Sequence, residues 1–94
     1  MITIVAKTVV IESEIETFIN LANELITESK KEAGCREYNL YQDTENKNVL
    51  TFIEKWEDEE AIKLHNESAH FTSIVPKLGE MQVKDTEVNL YKQL

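Results

Sequence analysis

The chain has 94 residues, of which 41% are hydrophobic and 30% are charged, and it contains only 2 Gly and 1 Pro. This composition predicts a single globular domain over residues 1–94 and excludes an intrinsically disordered chain. The 10 Lys and Arg residues against 18 Asp and Glu residues give a formal net charge of −8. Since a negative surface repels phosphate backbones and anionic headgroups, we expect no nucleic acid and no membrane among the partners.

The single cysteine, Cys35, cannot form a disulfide within the chain, which fits a reducing compartment. The N-terminal residues are typical of a strand and not of a basic and then apolar leader. No apolar stretch approaches the ~20 residues that a bilayer crossing requires. We therefore expect a cytoplasmic protein.

The first half of the chain predicts a strand and then a helix. Residues 2–11 are rich in Ile, Val and Thr, and their side chains are largely apolar toward both faces, which is typical of a central strand. Residues 13–31 predict a helix, because apolar side chains recur at helical spacing. Ser13 and Glu16 have the spacing of a capping box, and Gly34 is placed to end the helix.

The middle of the chain predicts a hairpin. Residues 35–43 and 49–57 each have the alternation of a strand, and the polar residues 43–48 between them form a turn. The second of these strands places Leu50, Phe52, Glu54 and Trp56 on one face.

The last third predicts two short helical segments and a final strand. Asp58 is a candidate N-cap for the first segment and Ser68 for the second. Pro76 limits the regularity of the second segment, and Gly79 is placed to end it. Residues 82–93 predict the fourth strand.

The resulting order is the β-α-β-β-α-β arrangement of ferredoxin-like α+β domains. In this arrangement the helices cover one face of the sheet and leave the other face bare. Because the first and third strands carry apolar side chains toward both faces, the bare face requires a cover. A second copy of the chain is the simplest cover, so the sequence predicts a homodimer packed through the open sheet face.

Residues 32–38, 52–58 and 61–71 together resemble the antibiotic-biosynthesis monooxygenase (ABM) family. The strongest portion runs from Glu54 to Phe71, where a Glu-x-Trp and an acidic turn precede His-x-x-x-x-His-Phe. Each piece alone is weak, but their order at this chain length is fairly specific.

The resemblance implies a dimeric α+β barrel with a ligand cavity between sheet and helices. Characterised relatives include monooxygenases that oxidise quinols and polycyclic phenols without a cofactor, haem-degrading enzymes, and an enzyme that processes a phosphorylated quorum-sensing signal. Fold alone does not settle the reaction. The leading interpretation is a cofactor-independent monooxygenase that oxidises a small quinol-like or phenolic aromatic substrate with O2.

Two residues are the candidates for catalysis. His65 shares a predicted helix face with Ala61, toward the sheet, where its imidazole could take a proton from a phenol. The same position also suits a structural histidine. Glu54 shares a strand face with Trp56, and burial there would raise its pKa and make it an acid or base beside His65. A structural, hydrogen-bonded Glu54 is the alternative.

Five further side chains are candidates for contact with the substrate. Trp56 and Phe52 could form an aromatic wall, and both also suit a core. His70 could lie at the cavity mouth or cap the preceding helix. Phe71 follows on the apolar side of the second segment, and Tyr38 could direct its hydroxyl at a substrate if its strand face turns inward.

Cofactor and metal sites are not expected. The chain has no Gly-rich phosphate loop and no dinucleotide fingerprint. His65 and His70 are five residues apart and would not share one helical face, so the sequence predicts no metal site. In the haem-degrading relatives the key residues are an Asn, a Trp and an iron-ligating His. The matching positions here are Lys7, His65 and Val75, which argues against haem degradation.

Two other functions stay open at this point. The first is a dimeric protein that binds a hydrophobic compound without chemistry. The second is an isomerase or lyase that acts on a phosphorylated quorum-sensing signal. This last function requires a basic side chain at the cavity, and Lys7 is the candidate.

Overall fold

The computed structural model describes residues 1–94 and contains four strands and three α-helices, with one turn of 3-10 helix before the first of them. In chain order the elements are β1 (Ile2–Val9), the 3-10 turn (Glu12–Glu14), α1 (Ile15–Ser29), β2 (Cys35–Gln42), β3 (Val49–Trp56), α2 (Glu59–Asn66), α3 (Ala69–Glu80) and β4 (Glu87–Lys92). This order confirms the ferredoxin-like α+β plan, with its second helical region divided into α2 and α3. No helix is long and apolar enough to cross a bilayer.

The strands form one antiparallel sheet in the order β2-β3-β1-β4. β1 is therefore central, as its two apolar faces predict. Ile4, Ala6 and Thr8 are each no more than 8% exposed and lie on the face that the helices cover. Lys7, between them, is exposed on the opposite face. The alternation of β1 thus decides which side chains can reach a site under the helices.

α1 is held to the sheet by one apolar stripe. Phe18, Ala22 and Leu25 are each no more than 1% exposed, because their spacing of three or four residues places them on one side of the helix. They pack with Leu50 and Phe52 of β3 in a single core. Full burial of each large apolar side chain contributes about 1.5–3 kcal/mol. This packing fixes the end of α1 and the connection to β2.

Two predicted helix starts are confirmed. Asp58 Oδ1 accepts a hydrogen bond from the N–H of Ala61 at 2.9 Å, at the start of α2. Ser68 Oγ accepts one from the N–H of Phe71 at 3.2 Å, at the start of α3. Both side chains satisfy backbone donors that the first helical turn leaves unpaired. The caps therefore define two separate helices where the chain changes direction.

The predicted bounds of α1 were wrong. Ser13 does not cap the helix, because it lies inside the 3-10 turn; Glu14 is the N-cap and no side chain provides a cap bond. The helix also ends at Ser29, several residues before Gly34. Gly34 has a different role: a Cβ there would overlap the Cβ of Ala61, so the missing side chain lets α2 approach the start of β2.

The C-terminal predictions were also inexact. α3 continues through Pro76 and Gly79 and ends at Glu80. β4 spans only Glu87–Lys92, while Gln82 makes a single bridge to Val10. The helices do not cover this edge of the sheet, and all six residues of β4 are exposed.

Candidate active site

A cavity of about 350 Å³ lies between the helix-covered face of the sheet and helices α2 and α3. This volume falls in the usual range of small-molecule sites, about 300–1,000 Å³. Most of the lining is apolar, and the polar residues in it are Thr8, Glu54, His65, Asn66, Gln82 and Thr86. No Lys or Arg lines the cavity. The site therefore suits an uncharged, largely apolar molecule that carries a few polar groups.

His65 of α2 is the most enclosed polar side chain of the cavity wall, with 1% of its surface exposed. Its ring lies 4.4 Å from the ring centroid of Trp56 and 5.0 Å from that of Phe71. Burial among these rings lowers the pKa of His65 below its ordinary value, against the opposing effect of the nearby Glu32 carboxylate. The imidazole is therefore neutral at pH 7.

The two ring nitrogens of His65 have different environments. Nδ1 lies 2.7 Å from Oε2 of Glu32. Since a carboxylate oxygen accepts, Nδ1 carries the proton and donates it, and the lone pair of the neutral ring is on Nε2. Nε2 is buried and has no hydrogen-bond partner in the chain. It is the one nitrogen of the ring with a free lone pair that can accept a proton.

Glu54 of β3 also lines the cavity and is 5% exposed. Its Oε1 accepts a hydrogen bond from the indole N–H of Trp56 at 2.9 Å. Burial raises the pKa of Glu54 to about 7, and the hydrogen bond from Trp56 opposes the rise only in part. Glu54 can therefore either hold or release a proton near neutral pH.

Trp56 does not line the cavity, contrary to its predicted place among the substrate-binding residues. It is fully buried, with its ring against His65 and its N–H bound to Glu54. Trp56 is the last residue of β3, and α2 and the core cover its side chain. Its contacts position the side chains of His65 and Glu54, and it does not itself contact a ligand in the cavity.

Three other predicted contact residues do line the cavity. Phe52 and Tyr38 lie on the inward faces of neighbouring strands, with ring centroids 5.9 Å apart. Tyr38 is 2% exposed, and burial together with the nearby Glu54 raises the pKa of its hydroxyl. Phe71 forms part of the wall from the first turn of α3. The ring of His65 lies between Tyr38 and Phe71.

His70 does not line the cavity either, and it does not cap α2, whose C-cap is Glu67. The Ser68 cap begins α3 in a new direction, and this brings His70 Nε2 to 2.7 Å from Oε2 of Glu32. The two histidines share no helical face, as predicted, but they converge on one carboxylate oxygen. They lie on different helices, so the spacing rule for one helix does not apply.

Glu32 is the site residue that the sequence did not reveal. It lies in the connection between α1 and β2, and its Oε2 contacts both His65 and His70. The contacts join residues 33 and 38 positions apart in the chain, which no local periodicity can indicate. The sequence pointed to Glu32 only in that it is the first residue of the first ABM-like stretch, residues 32–38.

Lys7 is not near the cavity. It is paired with Thr51 in the sheet register and faces away from the helices, between the inward-facing Ala6 and Thr8. The basic side chain that a phosphorylated ligand requires is therefore missing from this wall.

Comparison with known proteins agrees with this geometry. The model of the family described as antibiotic biosynthesis monooxygenase matches residues 1–77. YcnE of Bacillus subtilis is 39% identical over 66 residues, which cover 70% of each chain.

Solved structures extend the similarity to the whole chain. A conserved protein from Methanosarcina mazei Go1 superposes with a TM-score of 0.97 at 42% identity, covering 99% of this chain and 92% of the other. A crystal structure of an antibiotic biosynthesis monooxygenase superposes with a TM-score of 0.95 at 29% identity, covering 100% and 99%.

Proposed function

Since the chain belongs to the antibiotic biosynthesis monooxygenase family, we propose that it oxidises a small phenolic or quinol-like aromatic molecule with O2, without a metal or an organic cofactor. The observation that carries the proposal is the buried, unpartnered Nε2 of His65, a residue that lines an apolar cavity. A buried lone pair on a neutral imidazole is suited to remove the proton of an aromatic hydroxyl.

Proton removal activates the substrate. The phenolate is electron-rich and passes one electron to O2, which gives a phenoxyl radical and superoxide. The two combine at a ring carbon that carries hydrogen, and the resulting peroxide loses water to leave a quinone. The balance is one phenol plus one O2 to one quinone plus one water. The apolar wall, which includes Phe52 and Phe71, excludes bulk water from these charged intermediates.

Glu54 supplies the second proton transfer in this scheme. With a pKa of about 7, it is protonated in a large fraction of molecules at neutral pH. His65 first returns the proton that it took, which gives the neutral hydroperoxide. Glu54 then donates to the distal peroxide oxygen as the O–O bond breaks, and its carboxylate recovers a proton from the ring carbon as the C=O bond forms. The indole N–H of Trp56 holds the Glu54 carboxyl in place.

The lining favours a neutral substrate over a phosphorylated one. The cavity has no cationic side chain, it contains Glu54, and the whole chain carries a net charge of −8. A phosphate group would therefore be buried without a partner of opposite charge, which costs several kcal/mol. This argues against the lyase or isomerase alternative.

We propose that the protein acts in the cytoplasm as a homodimer. The face of the sheet opposite the helices carries Val5, Ile53 and the half-exposed Tyr41 and Tyr91. An apolar sheet face of this kind is commonly covered by a second copy. Sedimentation at micromolar concentration tests the proposal, and a monomer there would exclude it.

To test the reaction, the protein is incubated with 1-naphthol or with hydroquinone under ¹⁸O2, with EDTA present and no added flavin. We expect enzyme-dependent consumption of one O2 per phenol and one labelled oxygen in the quinone. Tight binding of the same compounds without O2 consumption above autoxidation would instead identify a binding protein.

A further inference from the structure

Three potential metal ligands meet beside the cavity, and one of them, His65, also lines it. Glu32, His65 and His70 each offer one ligand atom, and these atoms all lie within 4.8 Å of one another. Oε2 of Glu32 lies 2.7 Å from both His65 Nδ1 and His70 Nε2. Two imidazoles and a carboxylate are a donor set that proteins use for Zn²⁺ and related ions.

Separate elements hold these ligands in place. Glu32 follows α1, His65 belongs to α2, and His70 lies in the first turn of α3. The side chain of His65 is 2% exposed, while those of His70 and Glu32 are 17% and 18% exposed. The cluster is therefore rigid at its base and open to water on one side, which provides a path for an ion.

The distances require a moderate rearrangement, because the three ligand atoms lie up to 4.8 Å apart. Ligand atoms around a tetrahedral Zn²⁺ at about 2.0–2.1 Å lie roughly 3.3 Å from one another. The carboxylate oxygen has only to move away from the two nitrogens by a fraction of an ångström, and the nitrogens have to approach each other. A net charge of −8 on the chain also favours a divalent cation.

We propose that Glu32, His65 and His70 form a binding site for a divalent transition-metal ion of the Zn²⁺ type, with water as the fourth ligand. In both histidines the nitrogen that now donates to Glu32 would lose its proton to bind the ion, and the neutral ring would carry its proton on the other nitrogen. The ion thus replaces two hydrogen bonds by three coordinate bonds.

Such an ion would also change which ring nitrogen of His65 carries the proton. When a metal occupies Nδ1, the neutral ring carries its proton on Nε2. Nε2 would then be a donor and could not take a proton from a phenol. This consequence, which rests on the proposed function, makes the ion an inhibitor of the oxidation and couples the metal site to the cavity.

The binding test uses untagged, metal-free protein and Zn²⁺ alone, followed by isothermal titration calorimetry. We expect one ion per chain with a dissociation constant in the micromolar range or below. His70→Gln and Glu32→Gln each lose at least tenfold in affinity, because each removes one ligand. Co²⁺ gives the visible absorption bands of a tetrahedral site in the wild type and loses them in both variants.

Two control variants separate this site from adventitious ones. Cys35→Ser removes the only thiol, and Glu45→Gln removes an exposed carboxylate in the turn between β2 and β3. Both retain wild-type affinity and stoichiometry if the proposal holds. No saturable binding by the wild type at 100 µM Zn²⁺, or equal affinity in His70→Gln, Glu32→Gln and wild type, would overturn it.

The inhibitory consequence has its own readout. The site stands if Zn²⁺ binds as described, whether or not any phenol is oxidised. If oxidation is observed, Zn²⁺ suppresses it in the wild type and EDTA restores it, while the residual activity of His70→Gln is insensitive to the same Zn²⁺ concentration. Full activity at saturating Zn²⁺ would refute the coupling and leave the binding site intact.

Discussion

Nδ1 of His65 and Oε2 of Glu32 lie 2.7 Å apart, although 33 positions separate the two residues in the chain. The contact sets the tautomer of the imidazole and leaves Nε2 unpartnered in the core. It also places a carboxylate beside the ring that becomes positively charged when Nε2 takes a proton. A buried imidazole without that carboxylate would be a weaker base, because burial alone lowers its pKa.

Glu32→Gln tests this pair. The amide oxygen can still accept from Nδ1, so the fold is retained, but the negative charge that stabilises the imidazolium is lost. We expect kcat for phenol oxidation to fall by roughly 10- to 100-fold, as for other residues that orient a functional histidine. The pKa of His65, followed by NMR, falls below its wild-type value. Glu45→Gln, an exposed change in the turn between β2 and β3, is the control and leaves both quantities unchanged.

The buried Glu54 predicts a specific dependence of stability on pH. Its pKa is raised from 4.5 to about 7 on folding, so the native state holds a proton that the unfolded state has released. The free energy of unfolding therefore falls between about pH 4.5 and pH 7, by an amount on the order of 3 kcal/mol. Glu54→Gln removes this term. His65 has a lowered pKa and contributes the opposite slope, with stability lost as the pH falls below 6.5.

Urea unfolding of wild type and Glu54→Gln at pH 5 and pH 8 isolates the Glu54 term, since the His65 term is common to both proteins. The variant gains stability relative to wild type on going from pH 5 to pH 8. A difference between the two proteins that is independent of pH would show that Glu54 is ionised at both values in the native state.

Trp56→Phe removes one hydrogen bond and keeps a ring in the same place. The indole N–H lowers the pKa of Glu54, so its loss raises that pKa further above 7. The part of the kcat–pH profile that reflects ionisation of Glu54 therefore shifts to higher pH. A carbon-13 NMR titration of the Glu54 carboxyl measures the change in its pKa directly. An unchanged carboxyl pKa would mean that the indole has no effect on its ionisation.

The two glycines provide a matched pair. Gly34→Ala places a Cβ against Ala61 and pushes α2 from the start of β2, which destabilises the protein by about 1–3 kcal/mol. At Gly79, inside α3, nothing lies within 4 Å of an added Cβ, so Gly79→Ala stabilises by about 0.5–1 kcal/mol. Thermal unfolding compares the two variants. Equal effects of the same sign would contradict the close approach of α2 at Gly34.

The strands and the starts of α2 and α3 could be predicted because their signals are local. A run of Ile, Val and Thr marks β1, and alternating side chains mark β3. Asp58 and Ser68 are caps within three residues of their partners. Ser13 has the same spacing signal and failed, because the preceding turn is 3-10 and moves the start of α1 to Ile15.

The site was only partly predictable. Glu54 and His65 each lie on an apolar face, which is visible in one strand or one helix. The contact of Glu32 with two histidines depends on how three elements pack, and the exclusion of Trp56 from the cavity depends on how the core closes over it. Such relationships between distant segments leave no periodic pattern in the sequence.

The most direct measurement for the central claim is the rate of O2 uptake with 1-naphthol by wild type and His65→Gln, with EDTA present. Glu59→Gln, an exposed change in the same helix, is the control. Our account predicts enzyme-dependent uptake that falls by about 10²–10⁴ in His65→Gln and is unchanged in the control. Equal enzyme-dependent rates in wild type and a folded His65→Gln would contradict the role of Nε2 as the base.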